Sequence, residues 1–160
     1  MLYETSLDRF TEAQDGIWAD AMAEIDAGMK QSHWMWFIYP QLRGLGYSHR
    51  ATYFGIADAE EASRYLAHEL LGARLNDAFG RLLPHVGRAP QKIFGDVDAC
   101  KLQSSATLFS TVATNPAPFD AVLDGFFDGA RCRETLRRLE RSPDMDNGLP
   151  AGPAGDIPVP

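Results

Sequence analysis

Apolar side chains recur every three to four residues along most of this 160-residue chain, and no stretch alternates apolar with polar residues as a half-buried strand must. The pattern is longest between Glu69 and Leu83, where Leu70 or Leu71, Arg74, Leu75, Ala78, Phe79 and Leu82 form one stripe that Pro84 ends. This periodicity points to an all-α fold, a single multihelical domain of about seven or eight short helices over residues 1–141. Residues 142–160 hold five of the ten prolines, several glycines and few large apolar residues, the composition of a disordered C-terminal tail.

Caps and breakers place the other elements. Ser6 or Thr5 starts a short helix through Leu7 and Phe10, which Asp15-Gly16 breaks. Ile17 to Ala27 repeats Ala21, Met22 and Ile25 on one face, with Asp20 and Glu24 on the other, and Gly28 sits at a C′ position. Ser48 to Phe54 is a brief helix stopping at Gly55. Asp58 is an N-cap with Glu61 at N3, a capping-box arrangement. Pro90 to Gly95 reads as a helix start or turn. Asp96 or Asp98 caps a helix from Ala99 to Ala113 with Leu102, Ala106, Phe109 and Val112 inward. After Pro116-Ala117-Pro118 come Phe119, Val122, Leu123, Phe126 and Phe127, then a last helix from Cys132 to Arg141.

The densest stretch is Ser32-His33-Trp34-Met35-Trp36-Phe37-Ile38-Tyr39 followed by Pro40-Gln41-Leu42-Arg43-Gly44. A short continuous apolar run is either a helix or a buried strand by periodicity alone; the helical flanks favour a helix that Ser32 caps and Pro40 ends. In the helical reading Trp34 and Trp36 point to different faces, so at most one meets a ligand while the other packs.

The formal net charge of −7 argues against a chain that coats nucleic acid, whose phosphates call for a basic surface. The longest apolar run, Trp34 to Tyr39, is far short of the roughly 20 residues of a membrane span, and Met1 to Thr5 lacks a basic n-region, so the expected location is cytoplasmic. Cys100 and Cys132 form no CxxC, and no two histidines have metal-ligand spacing; reduced thiols, no metal and no cofactor are the expectation. The acidity is uneven. No acidic residue lies between Asp26 and Asp58, a window that contains Lys30, His33, Arg43, His49 and Arg50.

Candidate chemistry lies in and around that window. His33 adjoins two tryptophans, and a low-dielectric wall favours the neutral ring, able to exchange protons near pH 7; the bland alternative is a hydrogen bond at a helix start. Arg43 and Arg50 suit planar carboxylate or phosphate groups, and Gln41 offers both a donor and an acceptor. Lys101 lies three residues from Ser104 and four from Ser105, so either hydroxyl can share its face of a helix. Anion binding there is less demanding than a Ser–Lys nucleophile, which needs a desolvated lysine and an oxyanion hole.

At Ser32-His33-Trp34-Met35-Trp36-Phe37 with Pro40-Gln41-Leu42-Arg43-Gly44-Leu45-Gly46, and at Lys101-Leu102, Ser104-Ser105 and Thr107-Leu108-Phe109, the chain resembles an uncharacterised, mainly bacterial family, domain of unknown function 1810. The likeness runs from about Leu7 to Leu139 and implies an all-helical domain without an assigned active site. Some members carry the label calpastatin, a protease inhibitor. Such inhibitors are long, repetitive and disordered when free, whereas this chain is aromatic-rich, non-repetitive and patterned to fold.

The functional expectation is a small anionic ligand, nucleotide- or phosphate-like, in a pocket beside the Ser32–Phe37 stretch. His33 is the acid/base if there is turnover, and Trp34, Trp36, Gln41, Arg43, Arg50, Lys101, Ser104 and Ser105 are the candidate binding residues. The alternatives are a non-catalytic protein- or peptide-binding module and a structural helical domain whose aromatic cluster is wholly core.

Overall fold

The structure, a computed structural model, describes residues 6–141; the segment 142–160, expected to be a disordered tail, lies outside the described residues. The elements are α1 (Asp8–Asp15), α2 (Trp18–Ala27), α3 (Met35–Ile38), α4 (His49–Tyr53), α5 (Ala59–Ala67), α6 (Glu69–Gly80), a 3-10 turn (Leu83–His85), α7 (Pro90–Phe94), α8 (Asp96–Val112), α9 (Ala117–Phe127) and α10 (Arg133–Glu140). Seven of these helices have two turns or more, as the periodicity predicts, and α3, α4 and α7 are single turns. The only strand-like pairing among the described residues is an isolated parallel bridge between Leu42 and Ile56.

The helix ends follow local chemistry. Gly28 takes φ 72° after α2, a left-handed conformation that costs glycine little, and a Cβ there would meet Arg88 Nη1 at 2.2 Å. Asp58 accepts from the Glu61 N–H (2.9 Å), while the Glu61 carboxylate reaches back to the Ala57 N–H (2.7 Å), one residue beyond the capping-box partner. Helix α6 stops at Gly80, earlier than expected, because Pro84 has no N–H to offer the Gly80 carbonyl. Helix α8 begins three residues before Ala99. Gly95 at φ 84° turns the chain early and leaves Asp96 and Asp98 inside the first turn, where carboxylates complement the dipole.

Helix α8 is the central post, packed against α5, α7, α9 and α10. Leu102, Ala106 and Phe109 are fully buried on it, as the spacing predicts. Aromatic rings make a continuous path through the core: Tyr39 meets Phe79 edge-on (5.0 Å), Phe79 meets Phe119 (4.9 Å), and Phe109 joins Phe119 to Tyr65. Tyr65 then meets Phe10 (5.1 Å), Phe10 meets Phe54 (5.9 Å) and Phe54 meets Phe37 (5.2 Å), so the path ends at the surface near α4. Offset and edge-on contacts of this kind contribute about 0.5–1.5 kcal/mol each beyond area burial.

Two buried polar clusters fix the elements around α3 and α4. Arg9, 2% exposed, pairs with Glu61 (3.0 Å) and donates to the carbonyls of Ser6, Tyr53 and Gly55. Gln14 donates to the Phe37 carbonyl (2.7 Å) and the Tyr65 hydroxyl, and its own carbonyl accepts from Arg74. Burial, with the nearby Asp77 charge, pushes the Tyr39 hydroxyl well above the usual phenol range; it donates to the Ala78 carbonyl (2.7 Å).

Candidate functional site

The aromatic stretch is held from below by Glu24. Its carboxylate accepts from the backbone N–H groups of Gln31 (2.7 Å) and Ser32 (2.9 Å), from the Ser32 hydroxyl (2.7 Å) and from the Trp34 indole N–H (2.9 Å). Burial opposes the charged form, and the hydrogen bonds outweigh it, holding this carboxyl at about 2 rather than the ordinary 4.5. Ser32 therefore does not cap α3. Its hydroxyl is committed to Glu24, the helix starts at Met35 with Trp34 as N-cap, and His33 is turned outward on a tight bend.

Trp34 is fully buried, edge-on to Phe94 and under the Lys30 ammonium, so it packs while Trp36 is the tryptophan left partly open. Two cations lie over the Trp36 ring: the Arg50 guanidinium from α4 at 5.1 Å and the Lys101 ammonium from α8 at 4.7 Å. Such contacts are electrostatic attractions to the ring face, about 0.5–1 kcal/mol each where partly exposed.

A cleft of about 520 Å³ opens beside this arrangement, lined by Ala13, Ile17, His33 and Phe37 and by His49, Arg50, Tyr53 and Phe54 of the α4 segment. The volume is in the range of small-ligand pockets. Ser48 caps α4 by accepting from the Ala51 N–H (3.1 Å), which sets His49 and Tyr53, and Arg50 and Phe54, four residues apart on one side of the turn. No carboxylate lines the cleft among the described residues. A second, narrower crevice of about 10 Å³, room for a single water, lies between Trp36, Gln41, Ala51, Phe54 and Lys101.

The candidate residues thus divide. His33 and Arg50 share the large cleft, and His33 is exposed rather than sunk against the two indoles. Trp36, Gln41 and Lys101 share the crevice, with Lys101 also paired to Asp98 (3.3 Å). Arg43 lies on the neighbouring turn, where its Nε donates to the Thr52 carbonyl (2.9 Å) and its backbone N–H to the Ile56 carbonyl. Ser104 and Ser105 lie elsewhere: Ser104 donates to the Cys100 carbonyl (3.0 Å) and approaches the Cys132 sulfur (3.4 Å), and Ser105 is fully buried. Both cysteines are free thiols.

His49, Tyr53 and Phe54 were not singled out by sequence reasoning as site residues. The signal was present in Ser48, a good N-cap whose helix sets the following residues four apart on one side. Glu24 was assigned only to a polar helix face, although it and Asp26 are the last acids before a long run of donors without one.

No helix among the described residues is long and apolar enough to cross a membrane. No curated protein matches the chain. Among solved structures, the conserved hypothetical protein Rv1873 from Mycobacterium tuberculosis is similar, at 42% identity over 84% of this chain and 96% of that one, with a TM-score of 0.82. The model of the family described as protein of unknown function (DUF1810) matches residues 4–139. With most of its length inside that match and the same helical fold as Rv1873, the chain belongs to the DUF1810 family.

Proposed function

We propose that the protein binds a small anionic ligand, nucleotide- or phosphate-ester-like, in the cleft between His33 and Arg50. One observation carries the reading: in a chain of net charge −7, this cleft gathers His33, His49 and Arg50 with no carboxylate on its walls among the described residues. Arg50 makes no ion pair among the described residues, so its donors are not already spent on a carboxylate. A guanidinium grips phosphate oxygens through paired N–H donors, and Phe37, Tyr53 and Phe54 offer an aromatic floor for a base or an aryl group. His33, exposed and lining the same cleft, is the residue we assign to exchange a proton with the anion.

The test is calorimetric titration of the full chain with inorganic phosphate and AMP at low ionic strength, where surface charge is least screened. Saturable binding is expected, at least tenfold weaker in Arg50→Ala. Absence of binding by the unmodified protein at millimolar ligand would remove this reading.

A further inference from the structure

Two of the four histidines are employed by the fold and two are not. The His68 Nδ1 accepts from the N–H groups of Leu70 and Leu71 and caps α6, and a His85 ring nitrogen meets the Ile25 carbonyl at 2.8 Å. His33 and His49 are exposed and make no hydrogen bond among the described residues. These two share one cleft, and they reach it from different elements, His33 from the bend before α3 and His49 from the start of α4, with Arg50 beside it.

We infer that the cleft is a hydrolytic site for small phosphodiesters carrying an aromatic substituent, with His33 and His49 as the acid–base pair and Arg50 on the phosphoryl oxygens. The inference rests on the anion-binding reading above. In the step, one neutral imidazole takes a proton from water as the water oxygen bonds to phosphorus. The bond from phosphorus to the leaving oxygen breaks, and the other imidazole, entering as imidazolium, gives that oxygen its proton. The products are a phosphomonoester and an alcohol or phenol, and water is the only co-reactant. The two rings end with their protonation exchanged and reset through solvent.

Charge balance selects the diester. A diester carries a single negative charge, which Arg50 and one imidazolium offset while leaving the second imidazole neutral to act as base. A monoester dianion brings a second negative charge, for which the cleft holds no further guanidinium among the described residues. The aromatic substituent follows from the floor, where Phe37, Tyr53 and Phe54 sit in contact, Phe54 with Phe37 at 5.2 Å and with Tyr53 at 4.8 Å. His49 is then a catalytic residue alongside His33.

The experiment follows release of phenol from diphenyl phosphate, whose leaving oxygen needs its proton, by the full chain between pH 5 and 9, beside a phosphate titration of the same preparation. Expected are saturable turnover, a bell-shaped pH profile, and a loss of kcat of at least about 100-fold in His33→Ala and in His49→Ala. Both side chains are exposed, so unchanged thermal melting of the two variants is expected and separates lost chemistry from lost folding. Saturable phosphate binding without turnover, or turnover undiminished in either variant, overturns the acid–base pair and leaves anion binding standing. Failure to bind phosphate and the diester alike overturns both.

Discussion

The indole N–H of Trp34 donates to Oε1 of Glu24 across 2.9 Å, tying the buried core tryptophan to the carboxylate that also shapes the bend carrying His33. One acidic side chain on α2 thus sets both the inner anchor and the outer rim of the candidate site. Removing its charge loosens both.

Glu24→Gln is therefore expected to cost about 2 kcal/mol at pH 7, the usual scale for losing hydrogen bonds to a charged acceptor. Because the folded-state carboxyl titrates at about 2 and the ordinary value is 4.5, the stability it contributes is fully present above pH 4.5 and is lost as pH falls through about 2. Urea denaturation of wild type and Glu24→Gln at pH 7, 4 and 2.5 checks this. The gap between the two proteins should be widest at pH 7 and shrink toward the acid end.

Arg9 and Glu61 are both buried and lie 52 residues apart in sequence. Removing Arg9 leaves the buried Glu61 carboxylate with only the Ala57 N–H and the more distant Arg64 guanidinium, at 3.8 Å. Arg9→Met should cost about 3–5 kcal/mol, whereas the double change Arg9→Met with Glu61→Leu should recover a large part of it. A double-mutant cycle by urea denaturation measures the difference; equal destabilisation by the single and double variants would contradict the account.

These two clusters also show where sequence reading stops. The helices were legible because periodicity reports a face: Leu71, Leu75, Ala78, Phe79 and Leu82 announce which side of α6 and the following turn is inside. Gly28 and Asp58 were legible as caps because a left-handed φ and an N3 hydrogen bond are local requirements. Arg9 was not legible as core, since its burial depends on Glu61 and on the carbonyls of Tyr53 and Gly55, which only the fold brings near. The acid-free window singles out His33 and Arg50, which the fold brings to one cleft. Periodicity could not reveal that Lys101 joins Arg50 over Trp36, or that Ser104, one turn along α8, faces Cys132 instead.

Gly55 closes the α4 segment against the Arg43 turn. A Cβ there would lie 2.6 Å from both Cα and Cβ of Arg43 and 2.9 Å from the Ala51 carbonyl oxygen, and backbone is what must move. Gly55→Ala should destabilise by about 1–3 kcal/mol, as overpacking does, and should weaken phosphate binding by displacing α4 with His49 and Arg50. Thermal melting and the calorimetric titration read the two effects separately. Gly16→Ala, where nothing lies within 4 Å of the added carbon, is the matched control.

Arg50 and Lys101 lie over the same indole yet serve different cavities, and this gives the sharpest contrast within the site. Arg50 lines the large cleft and makes no ion pair among the described residues, so its guanidinium is available to a ligand. Lys101 is held by Asp98 at 3.3 Å, and the crevice it lines has room for only a single water. Arg50→Ala is therefore expected to weaken phosphate binding at least tenfold, and Lys101→Ala about twofold or less. Both variants lose one cation over Trp36, so both should shift the tryptophan emission, which confirms that each side chain was in place. Equal loss of binding in the two would mean that the anion sits over Trp36 itself, and the cleft between His33 and His49 would no longer be its seat.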